Sequence, residues 1–453
     1  MSTSHHSMGF FENAFGFNES NYSSTQKSLL DRATFSYTPP NPPTREYWQE
    51  HCSFHVPNGD KGMKQISAGT FSMPSVEQLR SRVQQELDFL LPKQQQGTSA
   101  GQAENNKTTT IQESQQAASK VTVRNMVGEA RSLHSEPFSA ILGKTSSNKY
   151  PPGDFPPQNH YIFQAASQFN LLEFPSPRVT PEAGIAGYIN DRTQGPACAI
   201  ACAAGTAYRN YLLPMMKDGD SGSTSSSKES TNPAIEQRGQ TKEWQLNGLQ
   251  LVEDYLKTFT SLQKVPWTVH NGYMEGQKRY IMELNALLES DPHLQDALTS
   301  RLQIGVQEDA TVTDCCPVTT ATTRTTATDH DDLFQVTQTY NSAISIGYSR
   351  LSSSLWRPMA TIVLQATYEA TLLVAILKAI QFALRGDPKQ VTVLLTKVGG
   401  GVFQNDDCWI CEAMKRAIGQ VEELITSKPY GIGLDVRIVH FGEIQDEYMS
   451  LEQ

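Results

Sequence analysis

The sequence predicts an α/β sandwich, in which helices cover both faces of a central sheet. Short runs of β-branched and aliphatic residues, typical of buried strands, alternate along the chain with stretches of helical periodicity. The clearest example comes late in the chain, where strand Val391–Thr396 is followed by a glycine loop, a helix and a second strand over residues 434–440. Residues 121–127 and 161–167 have the same strand character.

Three segments are predicted ahead of the folded domain. Residues 1–74 are rich in Ser, Asn, Pro and Gly and keep no period, so we expect a disordered N-terminal arm. Residues 75–91 carry apolar side chains every three or four positions, which predicts an amphipathic helix with Ser75 as its N-cap. Residues 92–119 are rich in Gln, Ser, Thr and Asn and are predicted to be a disordered linker.

The folded domain is expected over residues 120–445. Ser- and Thr-rich stretches predict flexible insertions at residues 218–240 and 315–330. The most hydrophobic segment, residues 359–384, is interrupted by polar and charged side chains, which favours a buried core helix over a membrane span. No interaction with a membrane is therefore predicted.

Bulk composition excludes several classes of function. A formal net charge of −10 argues against general nucleic-acid binding, which normally uses a basic face. The N-terminus has no secretory signal pattern, and seven scattered cysteines suggest reduced thiols, so an intracellular location, cytoplasmic or nuclear, is expected. Cys408 and Cys411 form a Cys-x-x-Cys pair, but no second pair stands at zinc-like spacing, so neither a metal nor a cofactor is predicted.

The glycine loop is the first candidate for a binding site. Gly399, Gly400 and Gly401 follow a strand and precede a helix, so their N–H groups can approach an anion closely. The spacing matches neither a Walker A loop nor a dinucleotide fingerprint. A tight turn without a ligand is the alternative. Three residues can cap the following helix, namely Asn405, Asp406 and Asp407.

A second candidate is a dense group of polar residues after the strand at residues 161–167. The group consists of Asn170, Glu173, Asp191, Arg192, Gln194, Arg209 and Asn210. Loops that follow strands bind ligands in α/β sheets, so these side chains are expected to converge on a site. The alternative is a hydrogen-bond network that only fixes the loops.

Three pieces of the chain, in order, resemble the macrodomain family. Residues 127–131 (Val-Gly-Glu-Ala-Arg) resemble its Gly-Asp-Ile-Thr opening, and residues 162–167 (Ile-Phe-Gln-Ala-Ala-Ser) its Val-Asn-Ala-Ala-Asn strand. Residues 399–403 (Gly-Gly-Gly-Val-Phe) resemble its second phosphate loop. The resemblance implies a macrodomain-like three-layer α/β/α sandwich with a mixed central sheet. The paired-glutamate signature of poly(ADP-ribose) glycohydrolases has no clear counterpart.

The resemblance implies a site for ADP-ribose or a related nucleotide. Glu129, beside Gly128, would accept a hydrogen bond from the adenine amino group, and the N–H groups of residues 399–402 would hold the pyrophosphate. Phe403 would pack on the distal ribose, with Asn170 beside it. The remaining positions expected to contact the ligand are Gln164, Ser167, Asp191, Gln194 and Asn405.

Two classes of function stay open at this point. A hydrolase of ADP-ribosyl linkages needs a group that orients water or attacks the ribose, and Asn170, Asp406 and Asp407 are the candidates. A binding module without turnover would instead recognise ADP-ribose or an ADP-ribosylated protein, and a scaffold with a vestigial pocket would bind neither. Loss of turnover with binding retained after substitution of Asp406 or Asn170 would identify the hydrolase.

Overall fold

The structure is a computed structural model that describes residues 9–37, 49–58, 62–90, 119–141, 150, 153–215, 237–262, 264–314, 334–387 and 389–452. Its strands are β1 (Ala33–Tyr37), β2 (Glu50–Pro57), β3 (Met63–Ser72), β4 (Lys120–Val127), β5 (His160–Ala166), β6 (Pro214–Met215), β7 (Gln237–Arg238), β8 (Trp267–His270), β9 (Tyr273–Gly276), β10 (Gly305–Thr311), β11 (Gln335–Asn341), β12 (Val391–Thr396) and β13 (Gly433–His440). Its α-helices are α1 (Phe10–Phe15), α2 (Tyr22–Leu30), α3 (Val76–Leu90), α4 (Ala130–Ile141), α5 (Gln194–Ala201), α6 (Ala203–Ala207), α7 (Gln250–Leu256), α8 (Lys278–Ser290), α9 (Leu294–Arg301), α10 (Ser353–Arg385), α11 (Asp407–Thr426) and α12 (Asp446–Met449).

Nine of these strands form one mixed sheet in the order β1-β2-β3-β10-β11-β5-β12-β13-β4. The five strands from β11 to β4 run parallel to one another. The four strands from β1 to β10 pair antiparallel. The carboxyl ends of the five parallel strands therefore meet at one edge of the sheet, hereafter the carboxyl edge.

Helices cover both faces of this sheet. Val393 and Leu395 of β12 pack into a core with α3, α10 and α11. Leu394, whose side chain points the opposite way, packs in a separate cluster with residues of α4. A third cluster joins α1, α5 and α6 to β2 and β3. The α/β class and the layered architecture predicted from the sequence are confirmed.

The prediction of a disordered N-terminal arm is wrong for the residues that the structure describes. Strands β1, β2 and β3 pair in the main sheet, and Phe10, Phe11 and Phe15 of α1 are buried. These strands alternate poorly in sequence because β3 contains a bulge opposite β2 and several buried Ser and Gly residues. Strand β10, which pairs with β3, lies more than 200 residues away in sequence, which no local pattern reveals.

Of the other predicted segments, the structure describes the helix up to residue 90 and the linker and insertions only in small part or not at all. The amphipathic helix is present as α3, with Ser75 donating and accepting hydrogen bonds with Gln78 at its start. The linker predicted at 92–119 lies outside the described residues except for Ser119. The insertion predicted at 315–330 lies outside them entirely, and the one at 218–240 does so up to residue 236.

The segment predicted as a buried core helix lies within α10. This helix is long and apolar enough to cross a membrane by length and composition, yet 89% of its most apolar window is buried inside the protein. It packs against α3, α8, α9, α11 and the sheet. Glu369, near its middle, is 4% exposed and is bound by arginines of two neighbouring helices.

Candidate functional site

The glycine loop, residues 397–406, joins β12 to α11 at the carboxyl edge. Gly399 has φ +78°, and a Cβ there would lie 2.5 Å from Ala343 Cβ, so a larger residue would strain and crowd the turn. The Asn405 N–H donates to the Gly399 carbonyl at 2.9 Å, which closes the loop. The Asp406 side chain caps α11 by accepting from the Cys408 N–H, as predicted.

Three consecutive N–H groups of this loop remain available. Within the described residues, the N–H groups of Gly401, Val402 and Phe403 donate to no protein acceptor. Gly401 and Val402 are exposed, and a Cβ at Gly401 would meet nothing within 4 Å. Adjacent unpaired N–H groups in an open loop form a concave site suited to an anion such as phosphate.

The loop lies at the carboxyl edge beside the place where the pairing of β5 and β12 ends, hereafter the crevice. The helix that follows β5, α5, packs on one face of the sheet, whereas α11 after β12 packs on the other. The two strands also pair only as far as Phe163 and Leu394, although each continues further. Crevices at such a reversal of direction are the usual ligand sites of open α/β sheets.

The β5 side of the crevice is bound by the start of α5. Gln194 Oε1 accepts from the Ala166 N–H, and Gln194 Nε2 donates to the Gln164 carbonyl, both at 2.8 Å. Gly195 permits this contact, since a Cβ there would lie 1.9 Å from the Ala166 carbonyl oxygen. Thr193 makes no side-chain cap to α5 and instead donates to Asp191.

Three aromatic rings lie at the far side of the glycine loop. The ring of Tyr273 lies 5.2 Å from that of Tyr348 and 5.5 Å from that of Phe403. Tyr273 is buried, Phe403 is half-buried and Tyr348 is exposed. Burial, with the nearby Tyr348 and Asp191, raises the pKa of Tyr273. The Tyr273 and Tyr348 hydroxyls donate to the carbonyls of Phe174 and Pro175, so the cluster connects the loop after β5 with the glycine loop.

Charged side chains lie on the opposite flank of the loop. Lys397 Nζ is 3.2 Å from Asp407 Oδ1, with both side chains about one-third exposed or less. Lys397 also donates to Gln445, and Tyr448 donates to Asp407. Asp407 is thus held by protein partners, and its ion pair partly neutralises the charge of Lys397 at the base of the loop.

Two predicted site residues are fully buried and hydrogen-bonded within the protein. Asn170 is fully buried, its amide donating to Gln245 and its oxygen accepting from the Leu172 N–H. Gln164 is also fully buried and spans from Thr371 of α10 to the N–H of Thr396. The structure therefore brings both to the carboxyl edge but gives each a hydrogen-bonding role within the fold.

Glu129 begins α4. Its carboxylate accepts from the N–H groups of Arg131 and Ser132 and from the Ser132 hydroxyl. Burial alone would raise the pKa of Glu129, but these hydrogen bonds outweigh it and lower the pKa. The neighbouring Gly128 packs against Leu133, where a Cβ would lie 2.6 Å from a methyl carbon.

The remaining predicted positions also have protein partners. Ser167 is buried and its hydroxyl donates to the Gln168 carbonyl. Asn405 is 4% exposed and donates to the Ile344 carbonyl, while its Oδ1 is buried without a partner among the described residues. Among these residues, Gly401, Val402 and Phe403 combine exposure of the loop with unpaired donors.

The carboxyl group of Glu173 and the guanidinium of Arg209 form a buried pair below α5. Both side chains are essentially inaccessible, and Arg209 Nη2 lies 3.5 Å from Glu173 Oε1. The guanidinium also stacks on Tyr340, 3.4 Å from the ring centre. Burial raises the pKa of Glu173 to about 8, although Arg209 acts in the opposite direction. Asn210 is likewise fully buried, so these polar residues lie under the site and not in it.

Sequence reasoning missed several aromatic residues. Tyr273 and Tyr348 come from distant segments that carry no motif, so only the folded chain brings them to Phe403. Phe441 directly follows β13 at the carboxyl edge and is 84% exposed. Its position immediately after a buried strand was the one sequence feature that could have identified Phe441 as a site residue. Over the described part of the chain, no group of three or more metal-ligating side chains converges.

No family model and no curated protein matches this sequence. Among solved structures, the chain is similar to poly(ADP-ribose) glycohydrolase from Thermomonospora curvata, with 11% identity and a TM-score of 0.30 over 83% of this chain and 82% of that one. It is also similar to poly(ADP-ribose) glycohydrolase from Deinococcus radiodurans in complex with ADP-ribose, with 8% identity and a TM-score of 0.33 over 84% and 91% of the two chains. The likeness is distant.

Proposed function

We propose that this protein binds ADP-ribose or a related nucleotide in the crevice between β5 and β12. The observation that carries the proposal is the row of unpaired N–H groups at Gly401, Val402 and Phe403. Three adjacent donors suit a pyrophosphate, which would receive three charge-assisted hydrogen bonds from them.

Electrostatics around the loop fits a phosphate ligand on a protein that is acidic overall. With a net charge of −10, the surface would repel a free dianion unless local donors compensated. Lys397 supplies a cation at the base of the loop, and α11 adds the partial positive charge of its N-terminus. Asp406 and Asp407 oppose this, so the phosphates would lie over residues 401–403 and not over the first turn of α11.

The aromatic cluster would hold the sugar on the far side of the loop. Phe403 is half-buried against Tyr273 and Tyr348, so its ring is already ordered before a ligand arrives. Rings of this kind stabilise a ribose by apolar contact with its carbon face. Phe441, exposed on the other flank, would offer a second ring for the base.

Hydrolysis of ADP-ribosyl linkages remains a prediction, as does recognition of an ADP-ribosylated protein. Asn170 is buried, and Asp407 has three hydrogen-bonding partners, whereas Asp406 caps α11 and is exposed. Asp406 is therefore the most accessible of the three candidates for a role in turnover. A turnover assay on Asp406→Asn, with binding measured in parallel, distinguishes a hydrolase from a binding module.

Titration calorimetry with the full chain and ADP-ribose, ATP or NAD tests binding directly. We expect micromolar affinity for ADP-ribose, and Gly401→Glu should abolish it because the new carboxylate would occupy the open space over the loop. Gly419→Glu is the matched control, since Gly419 is exposed on α11, the helix after the loop, and a Cβ there would also meet nothing within 4 Å. Absence of binding by all three ligands, or equal affinity in both variants, would overturn the proposal.

A further inference from the structure

The N-terminal segment, residues 9–30, is anchored to the chain that leads into α5. Glu19 makes three short contacts: its carboxylate accepts from the N–H of Ile185 at 2.8 Å, from the N–H of Ala186 at 2.6 Å and from the Tyr211 hydroxyl at 2.7 Å. These partners lie more than 160 residues away in sequence. Hydrogen bonds to an ionised carboxylate are about twice as strong as those between neutral groups.

The geometry around Glu19 leaves little freedom for the bound segment. Gly184 has φ +78°, and a Cβ there would lie 2.6 Å from Glu19 Oε2 and 2.8 Å from the Tyr211 hydroxyl. Only glycine therefore admits the carboxylate at this point. Burial and Glu19 also raise the pKa of Tyr211, so its hydroxyl stays protonated and keeps donating.

A continuous series of contacts leads from Glu19 to the crevice. The Tyr188 N–H donates to the Ile185 carbonyl, and the Tyr188 hydroxyl accepts from the Glu173 N–H at 3.0 Å, in the loop after β5. The Asp191 N–H then donates to the Tyr188 carbonyl at 3.0 Å. The Thr193 N–H donates to the Asp191 side chain, and the next residue, Gln194, begins α5 and binds β5.

We propose that Glu19 is a positioning residue for the nucleotide site: it fixes residues 184–190, and through them the placement of Asp191 and Gln194 beside the crevice. The N-terminal segment thereby acts as a strap on the loop ahead of α5. The effect on ligand affinity rests on the proposed function, whereas the effect on the mobility of residues 184–194 does not.

Four other hydrogen bonds, made by two side chains, secure the strap without touching this loop. Tyr22 donates to the carbonyls of Asn210 and Gln240, and Gln26 donates to those of Tyr211 and Arg238. Four buried side chains of α1 add an apolar anchor. Substitution of Glu19 should therefore release residues 184–190 while the strap itself stays docked.

Amide hydrogen exchange of the full chain without ligand tests the strap. In Glu19→Gln the side-chain amide has one acceptor oxygen, and its NH2 group would face the N–H groups that the carboxylate binds in wild type. We therefore expect peptides covering residues 184–194 to exchange about tenfold faster than in wild type. Glu12→Gln is the matched control, because it removes the same charge from the same segment and Glu12 accepts no side-chain hydrogen bond from residues 184–194. Exchange at 184–194 that equals wild type, or that rises equally in both variants, would overturn the inference.

Titration calorimetry with ADP-ribose adds a measurement of affinity, which would not change if Glu19 had only a structural role. Glu19→Gln should weaken affinity about tenfold. Glu369→Gln, which destabilises helices on the other face of the sheet, should leave it unchanged. Equal affinity in wild type and Glu19→Gln would overturn the positioning role. If wild type itself binds no nucleotide, the proposed function fails, and hydrogen exchange alone decides the strap.

Discussion

The side-chain amide of Gln194 binds the backbone of Ala166 where the neighbouring strand has turned away. Gln194 donates to one peptide group of β5 and accepts from another, as an adjacent strand would. Strand β12 pairs with β5 only up to Phe163 and Leu394. A buried strand edge without partners would be costly, so the glutamine makes it possible for the sheet to open at the crevice.

Replacement of Gln194 by alanine should destabilise the protein. The Ala166 N–H and the Gln164 carbonyl would lose their partners at a largely buried position, which costs about 1–3 kcal/mol. Urea denaturation of Gln194→Ala measures this loss, with Gln295→Ala as the control because Gln295 is exposed and its side-chain amide donates to the side chain of Gln365. Equal stability of the two variants would show that water replaces the amide at β5.

The Glu173–Arg209 pair predicts a stability that falls toward alkaline pH. Since burial raises the pKa of Glu173 from an ordinary 4.5 to about 8, the folded protein keeps a proton that the unfolded chain releases. The resulting stability is complete below the ordinary pKa and is lost as pH rises through the folded-state value. Glu173→Gln has no such proton, so its free energy of unfolding should fall less between pH 6 and pH 9 than that of wild type. Parallel curves in chemical denaturation would contradict this.

Glu129 provides a test that separates capping from ligand binding. Both carboxylate oxygens are used by the first turn of α4, so Glu129→Ala should lower the free energy of unfolding by about 1 kcal/mol. Because the pKa of Glu129 is lowered in the folded state, this contribution exists above the ordinary pKa and is lost as pH falls through the folded-state value. Affinity for ADP-ribose should stay the same. A selective loss of affinity would instead support the contact with adenine that the macrodomain resemblance implies.

The sequence predicted those elements that carry a strong local pattern. Strands β5, β12 and β13 were predicted correctly because continuous apolar runs are typical of strands buried on both faces. Strands β2 and β3 were missed because their residues mix Ser, Gly and His with apolar side chains. Their stability comes from pairing and from the buried aromatic residues of α1, which lie elsewhere in the chain.

The candidate site was predictable in its backbone and less so in its side chains. Three glycines after a buried strand predicted donors at residues 399–402, but the Gly400 N–H donates to the Lys397 carbonyl and the three consecutive unpaired N–H groups lie at residues 401–403. Asn170 was expected beside a ligand, but Gln245 and Gln240, from a distant segment, bind it in the interior. A local pattern identifies a polar residue but does not reveal which distant partner will bind it, so burial decides its role.

Glu369 is expected to be a major determinant of helix packing. Arg80 of α3 and Arg416 of α11 both donate to it, and Arg80 also bonds to Asp296 of α9. Glu369→Gln should cost about 2–3 kcal/mol, less than for fully buried pairs because both arginine side chains are about one-third exposed. A double-mutant cycle with Arg416→Met, followed by thermal unfolding, measures the coupling. Additive effects would show that the two charges act independently.

Asp407 and Lys397 should affect nucleotide affinity in opposite directions. In Asp407→Asn, Lys397 loses its ion pair and a negative charge leaves the N-terminus of α11, so ADP-ribose should bind about two- to fivefold more tightly. Lys397→Met should weaken binding by a similar factor, and both effects should shrink at high salt. Calorimetry at two ionic strengths measures them. If Asp407→Asn weakened binding as much as Lys397→Met, Asp407 would instead hold Lys397 in its binding position. If Asp407→Asn abolished turnover while binding was retained, Asp407 would have the catalytic role that the sequence predicted. The loss of a charge near the phosphates, or the release of Lys397, would change binding but would not remove a chemical step.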